Sequence, residues 1–137
     1  MNKIFYNWNN LVEDINIILT RLKGQDIRGI YAIPRGGLVL GTILSNYLSI
    51  PLYINLDEAL TNVENKNNIL IIDDLSDSGK TMLEINKIYM YKTVTIFIKE
   101  GTQFIPNIYC RYAKKEEWIC FPWEPPTKDT VRDREKV

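Results

Sequence analysis

Histidine is absent from the 137 residues. That excludes histidine-based nucleophilic triads and the usual catalytic zinc sites, and leaves acid–base chemistry to carboxylates, lysine or tyrosine. Cysteine is scarce. Cys110 and Cys120 are the only two and do not form a C-x-x-C pair, so reduced thiols are expected. Charge of one sign is also lacking. Lys+Arg and Asp+Glu are both 17, so no global field draws the chain to nucleic acid or a membrane surface, and any bound anion must be held by local geometry. No apolar run approaches a membrane span, and residues 1–10 are polar and lack an apolar core of signal-peptide length. A cytoplasmic protein without nucleic-acid or membrane partners is expected. The length fits one domain.

The apolar pattern alternates between two periods. Trp8, Leu11, Val12, Ile15, Ile18, Leu19 and Leu22 mark one face of a helix, with Gly24 as its stop. Residues 27–33 form a short strand. A second helix follows Gly36-Gly37, with Leu40, Leu44, Tyr47 and Leu48 toward the core, and Pro51 leads into a strand over 52–56. Residues 57–68 are polar and read as a connection, partly helical around Glu58-Ala59-Leu60. Ile69-Leu70-Ile71-Ile72 carries the mark of a strand buried on both faces. A loop over 73–79, a helix over 80–90, a strand over 93–98 and another over 107–112 complete the order, before a loop containing Trp118, Pro122 and Trp123. The expected fold is α/β, a mainly parallel twisted sheet flanked by helices. Residues 1–124 form its domain, and 125–137 are expected to be a flexible charged tail. In such sheets ligands bind beyond the carboxyl ends of the strands.

The richest segment is Ile69-Leu70-Ile71-Ile72-Asp73-Asp74-Leu75-Ser76-Asp77-Ser78-Gly79-Lys80-Thr81. A buried strand ends in two carboxylates, then a small hydroxyl-and-glycine turn, then a helix. Backbone N–H groups and the hydroxyls of Ser76, Ser78 and Thr81 at a helix start suit a phosphate monoester. Asp73 and Asp74 would repel that phosphate, so a ribose diol is their natural partner. Gly79-Lys80-Thr81 is not the end of a P-loop, because the required glycine five positions earlier is Asp74. Simple helix capping by Ser and Asp is the plainer alternative, but capping needs no double acid after an apolar strand. A second turn, Pro34-Arg35-Gly36-Gly37, offers glycines and a bidentate guanidinium for an anion; alone, it could equally be a tight strand–helix turn. Lys99 ends a later strand. Glu117-Trp118-Ile119-Cys120-Phe121-Pro122-Trp123-Glu124 holds two tryptophans that could stack on a base or plug the core.

The 69–81 segment resembles the 5-phosphoribosyl-1-pyrophosphate (PRPP) signature of the type I phosphoribosyltransferases. The W-I-x-x-P-W-acid spacing is similar to that of the xanthine-guanine enzymes of this family. The resemblance spans residues 29–124 in the family's order. It implies a pentosyl-transferring enzyme that makes a 6-oxopurine nucleoside monophosphate and pyrophosphate from PRPP and guanine, xanthine or hypoxanthine. By this resemblance Arg35, Gly36 and Gly37 form the pyrophosphate loop, and Asp73 and Asp74 meet the ribose hydroxyls. Leu75, Ser76, Asp77, Ser78, Gly79, Lys80 and Thr81 complete the PRPP site. Asp77 handles the purine proton near N7, Lys99 reaches the oxygen on C6, and Trp118 stacks on the base, which the Ile119 backbone touches at its edge. Mg²⁺ is the implied cofactor, with Asp74 and Glu124 beside it. A dimer or tetramer and a cis Pro34–Arg35 peptide are implied as well. Two departures stand out. Only residues 57–68 are available where the family carries a long closing loop, and Glu124 stands where the bacterial enzymes have Asp. The short segment supports an alternative, a PRPP- or nucleotide-binding regulatory module with little turnover.

Overall fold

The computed structural model describes residues 2–125; the expected charged tail therefore lies, beyond Pro125, outside the described residues. Helix α1 spans Trp8–Leu22. It begins where the Asn7 side chain accepts from the Asn10 amide at 2.8 Å and the Asn10 side chain accepts from the Asn7 amide at 2.9 Å, a reciprocal cap for two orphan donors. Its inward face is Leu11, Asp14, Ile15, Ile18 and Leu22. Trp8 and Val12, assigned to that face by periodicity, are 54% and 59% exposed instead.

Strand β2 is Gly29–Ala32, α2 is Leu38–Leu48, β3 is Leu52–Tyr53 and β4 is Ile69–Ile72. All four residues of β4 are fully buried, as an unbroken apolar strand between helical layers should be. Leu40 and Leu44 of α2 are fully buried, while Tyr47, expected to face the core, is 68% exposed. The connection after β3 folds into α3, Leu56–Asn62, and a 3₁₀ turn at Lys66–Asn68. Asn55 starts α3 by accepting from the amides of Asp57 and Glu58, and Ala59 and Val63 are buried against the sheet.

Beyond β4 come a two-residue strand β5 (Leu75–Ser76), helix α4 (Lys80–Ile85), β6 (Lys92–Lys99) and β7 (Ile108–Ala113). Helix α4 stops five residues before the expected end at Met90. Buried Asn86 donates to the Met82 carbonyl and accepts from the Tyr91 amide, each at 2.8 Å, which closes the helix with a side chain in place of another turn. The sheet order is β3-β2-β4-β6-β5, and β7 lies on the other flank of β6; every pairing is parallel. The expected α/β architecture therefore holds. Two strands carry no signal of their own in the sequence. The polar N-terminal segment Asn2–Phe5 is β1, and Glu117–Cys120, expected as loop, is β8. They pair in parallel as a separate two-stranded sheet. Among the described residues no helix is long and apolar enough to cross a membrane.

Candidate active site

The parallel register brings the carboxyl ends of β2, β4 and β6 together, and their loops carry the chemistry. Ile33, just past β2, donates its amide to the Ile72 carbonyl at 2.8 Å, which docks the first turn onto the end of β4. In that turn the Pro34–Arg35 peptide is cis, as expected, and Arg35 is exposed. Gly36 lies against the acid pair: a Cβ on it would sit 2.5 Å from the Asp74 Oδ2. Only glycine permits that approach of the turn to the carboxylate.

Asp73 and Asp74 are fixed through their backbones. The Asp73 amide donates to the Val94 carbonyl at 3.1 Å, and the Asp74 carbonyl accepts from the amides of Ile96 and Phe97, each at 3.0 Å. Asp73 Oδ1 accepts from the Asp74 amide at 2.8 Å. Among the described residues neither carboxylate has an ion-pair partner. Burial, and then the adjacent Asp74 charge, push the Asp73 carboxyl up to about 8. Burial likewise raises Asp74, against the opposing pull of backbone amides and the Trp123 indole. Two like charges held side by side out of water prefer to share a proton. The pair is thus poised for a neutralising cation or for hydroxyl donors.

The loop that follows divides the site into two hollows. One, of about 100 Å³, is lined by residues of the 73–82 turn, including Asp77, Ser78, Gly79 and Thr81. Gly79 has φ +81°, and a Cβ there would lie 2.5 Å from the Phe104 amide nitrogen. The Ser78 carbonyl accepts from the Gln103 amide at 2.7 Å, so residues 102–104 form the wall behind the turn. Ser76 is oriented into that wall. Its buried hydroxyl donates to the Phe104 carbonyl at 2.8 Å and lies 2.9 Å from the Thr102 hydroxyl. The hydroxyls of Ser78 and Thr81, both on exposed residues, remain with the backbone amides as candidate anion ligands.

The second hollow, of about 200 Å³, is lined by Asp74, Leu75, Asp77, Lys99, Trp118, Ile119, Phe121 and Glu124. It unites the acid loop, the end of β6 and strand β8 in one space. Lys99 Nζ lies 5.9 Å from the centre of the Trp118 ring, and Trp118 is 37% exposed, leaving a ring surface for a flat ligand. Burial and the Asp74 charge both raise the Glu124 carboxyl, which places the two acids within electrostatic reach.

Trp123 behaves differently from Trp118. It stacks on Phe121 with ring centres 4.7 Å apart and meets Tyr6 edge-on at 6.1 Å. Of the two readings of the tryptophan pair, Trp118 is free to stack on a ligand and Trp123 is the core plug. Phe121 joins the site without a motif signal of its own, although it sits between residues that have one. The braces behind the site are also invisible to motif reasoning. Tyr6 Oη and Arg111 Nε both donate to the buried Asp14 Oδ2, at 2.5 and 2.8 Å, joining residues up to 97 positions apart. A larger cavity of about 930 Å³ lies by Arg28, Tyr53 and Lys66 and shares no lining residue with either hollow.

No group of three His, Cys, Asp or Glu side chains able to hold a metal occurs among the described residues. Mg²⁺ commonly uses one or two carboxylates and completes its shell with water and substrate phosphate. Asp74 and Glu124 on one cavity, with raised proton affinity and, among the described residues, without an ion-pair partner, fit that demand.

No protein-family model matches the chain. It is 26% identical to the xanthine-guanine phosphoribosyltransferase of Chromohalobacter salexigens, over 94% of this chain and 92% of that one. A purine phosphoribosyltransferase structure from Pyrococcus horikoshii superimposes with a TM-score of 0.71 at 26% identity, covering 91% of this chain and 96% of that one. The xanthine-guanine-hypoxanthine phosphoribosyltransferase of Helicobacter pylori has the same fold, with a TM-score of 0.72 at 16% identity and 99% of each chain covered. The resemblance to type I phosphoribosyltransferases of the xanthine-guanine kind thus holds across nearly the whole chain, and the relatives are of the expected pentosyl-transferring enzyme class.

Proposed function

We propose that this chain transfers the phosphoribosyl group of PRPP to N9 of a 6-oxopurine, releasing pyrophosphate and a nucleoside monophosphate. The observation that carries this reading is the single cavity shared by Asp74, Asp77, Lys99, Trp118 and Glu124. It joins the end of a PRPP-type acid loop to an aromatic face and a cation, which is what one site needs to hold a ribose beside a flat, oxygen-bearing base.

In this reading the turn over 76–81 grips the 5-phosphate through its amides and the hydroxyls of Ser78 and Thr81. Asp73 and Asp74 accept from the ribose 2- and 3-hydroxyls. The Arg35-Gly36-Gly37 turn, docked on the end of β4, holds pyrophosphate. Trp118 stacks on the purine, the Ile119 backbone meets its edge, and Lys99 donates to the oxygen on C6, selecting a 6-oxo base over a 6-amino one. Asp77 lines both hollows and so reaches from the phosphate turn to the base, where it handles the N7 proton as N9 attacks C1. Asp74 and Glu124 would hold Mg²⁺, whose chemistry there is neutralisation of the pyrophosphate charge. Positive charge builds on the ribose ring as pyrophosphate departs, and the negative charge that the acid pair carries beside the ring stabilises it electrostatically. A cytoplasmic homo-oligomer, a dimer or a tetramer, is the setting this reading implies.

The deciding experiment incubates the protein with PRPP, Mg²⁺ and guanine, xanthine or hypoxanthine in turn and follows the monophosphate and pyrophosphate. Stoichiometric release of both with at least one base is expected. Binding of PRPP without product from any base would overturn transfer and favour the regulatory module. One observation supports that second reading: the segment after β3 is a short helix with Ala59 and Val63 buried on the sheet, and so is not free to close over the site.

A further inference from the structure

We propose that Trp123 is a positioning residue for the PRPP site: its indole N–H orients the Asp74 carboxylate, so that one carboxylate oxygen is held by the protein and the other is presented to the ligand. This rests on the functional reading above, and concerns a residue to which that reading gives no role.

The indole nitrogen of Trp123 is the one buried side-chain polar atom among the described residues that lacks a hydrogen-bond partner. A buried donor without an acceptor is costly, and its retention in a close-packed aromatic cluster calls for an explanation. The indole packs on Phe121, and Phe121 and Glu124, on either side of it in the chain, both line the cavity that Asp74 lines, yet its N–H meets no acceptor. On another side, the Asp74 carboxylate is confined by Gly36, where a Cβ would stand 2.5 Å from Oδ2. Asp74 therefore sits between the pyrophosphate-type turn and the indole, with few orientations open to it.

The indole is itself immobilised. It stacks on Phe121 at 4.7 Å and meets Tyr6 and Trp8 at 6.1 and 6.0 Å. Tyr6 is tied through its hydroxyl to Asp14, which Arg111 also holds. The next residue, Glu124, lines the same cavity as Asp74. In the proposed arrangement the carboxylate turns one oxygen onto the indole N–H, and a ligand that draws on the other oxygen favours that turn. Preorganisation of this kind strengthens binding of the ground state and need not alter the chemical step.

The test combines a spectroscopic signature with a kinetic split. The indole N–H proton resonance of Trp123 is assigned by its disappearance in Trp123→Phe and followed while wild-type protein is titrated with PRPP in the presence of Mg²⁺. A downfield shift that saturates with PRPP binding is expected, because the N–H gains an acceptor. In Trp123→Phe, which keeps an aromatic ring and removes the donor, KM for PRPP is expected to rise about tenfold, with kcat and the purine KM within about twofold of wild type. Wild-type protein that binds no PRPP overturns the functional reading. Wild-type protein that binds PRPP while the Trp123 resonance stays still overturns this inference alone, as does a folded Trp123→Phe variant with unchanged KM for PRPP.

Discussion

Asp77 lines both hollows of the site, which in the proposed reading lets its carboxylate serve a proton on the base beside the anchored end of the ribose. Asp73 and Asp74 are raised by burial and in the proposed reading meet a different demand, that of ribose hydroxyls and a cation. Replacing Asp77 by Asn keeps the size and polarity of the side chain and removes its capacity to take up a proton. The expected result is a loss of about 10²–10⁴-fold in kcat, the usual worth of a positioned acid–base group, with PRPP affinity from calorimetry nearly unchanged. Equal turnover in the variant would remove Asp77 from proton transfer. Ser76, from the same motif, shows how a matched residue can take on a different task. Its hydroxyl is bonded to Phe104 and Thr102, so it stiffens the turn from behind.

The elements that carry the site were legible because their signals are local. Ile69–Ile72 is apolar throughout and is buried throughout, and the acids and glycine after it belong to one short turn. Gly79 shows how tightly that turn is specified. Its φ is +81°, and a Cβ added there would come within 2.5 Å of the Phe104 amide nitrogen, which leaves no room for a side chain. Gly79→Ala should destabilise the fold by roughly 1–3 kcal/mol, seen as a lower urea midpoint with an unchanged slope; an unaltered midpoint would show that residues 102–104 yield freely. What escaped the sequence was set by distant partners. Strand β1 has three exposed residues out of four, and β8 opens on Glu117 and buries Ile119 alone, so neither carries a strand pattern of its own; each is held by the other beside it. Tyr47 fits the helical period of α2 yet points outward, because a period names a face without fixing how wide the covered stripe is. The Asp14–Arg111 contact joins residues 97 apart, and no window along the chain reveals it.

At the scale of the molecule, the absence of histidine makes the acid site visible in the pH dependence of stability. Few other side chains titrate between pH 5 and 8. Asp73 is raised from 3.8 to about 8, and Asp74 and Glu124 are raised with it. The folded state then binds protons more tightly than the unfolded chain. Its advantage is full below the unfolded value near 3.8 and is lost as pH rises to about 8. The melting temperature of the ligand-free protein should fall by several degrees from pH 5 to pH 8, and Asp73→Asn should flatten the fall; a rise across this window would contradict the assignment. A separate consequence follows from the pairing of β1 with β8. During synthesis β2, β3 and β4 can associate while the rest of the chain is still being made, but β1 must wait for residues 117–120 to leave the ribosome. The strand that carries Trp118 is therefore seated only after residues 117–120 have been made, by a contact between the first and last of the described strands, which is the slowest kind of loop to close. A chain stalled or clipped before residue 117 would already carry the acid loop and the 76–81 turn while still lacking the Trp118 face that the proposed reading gives to the base.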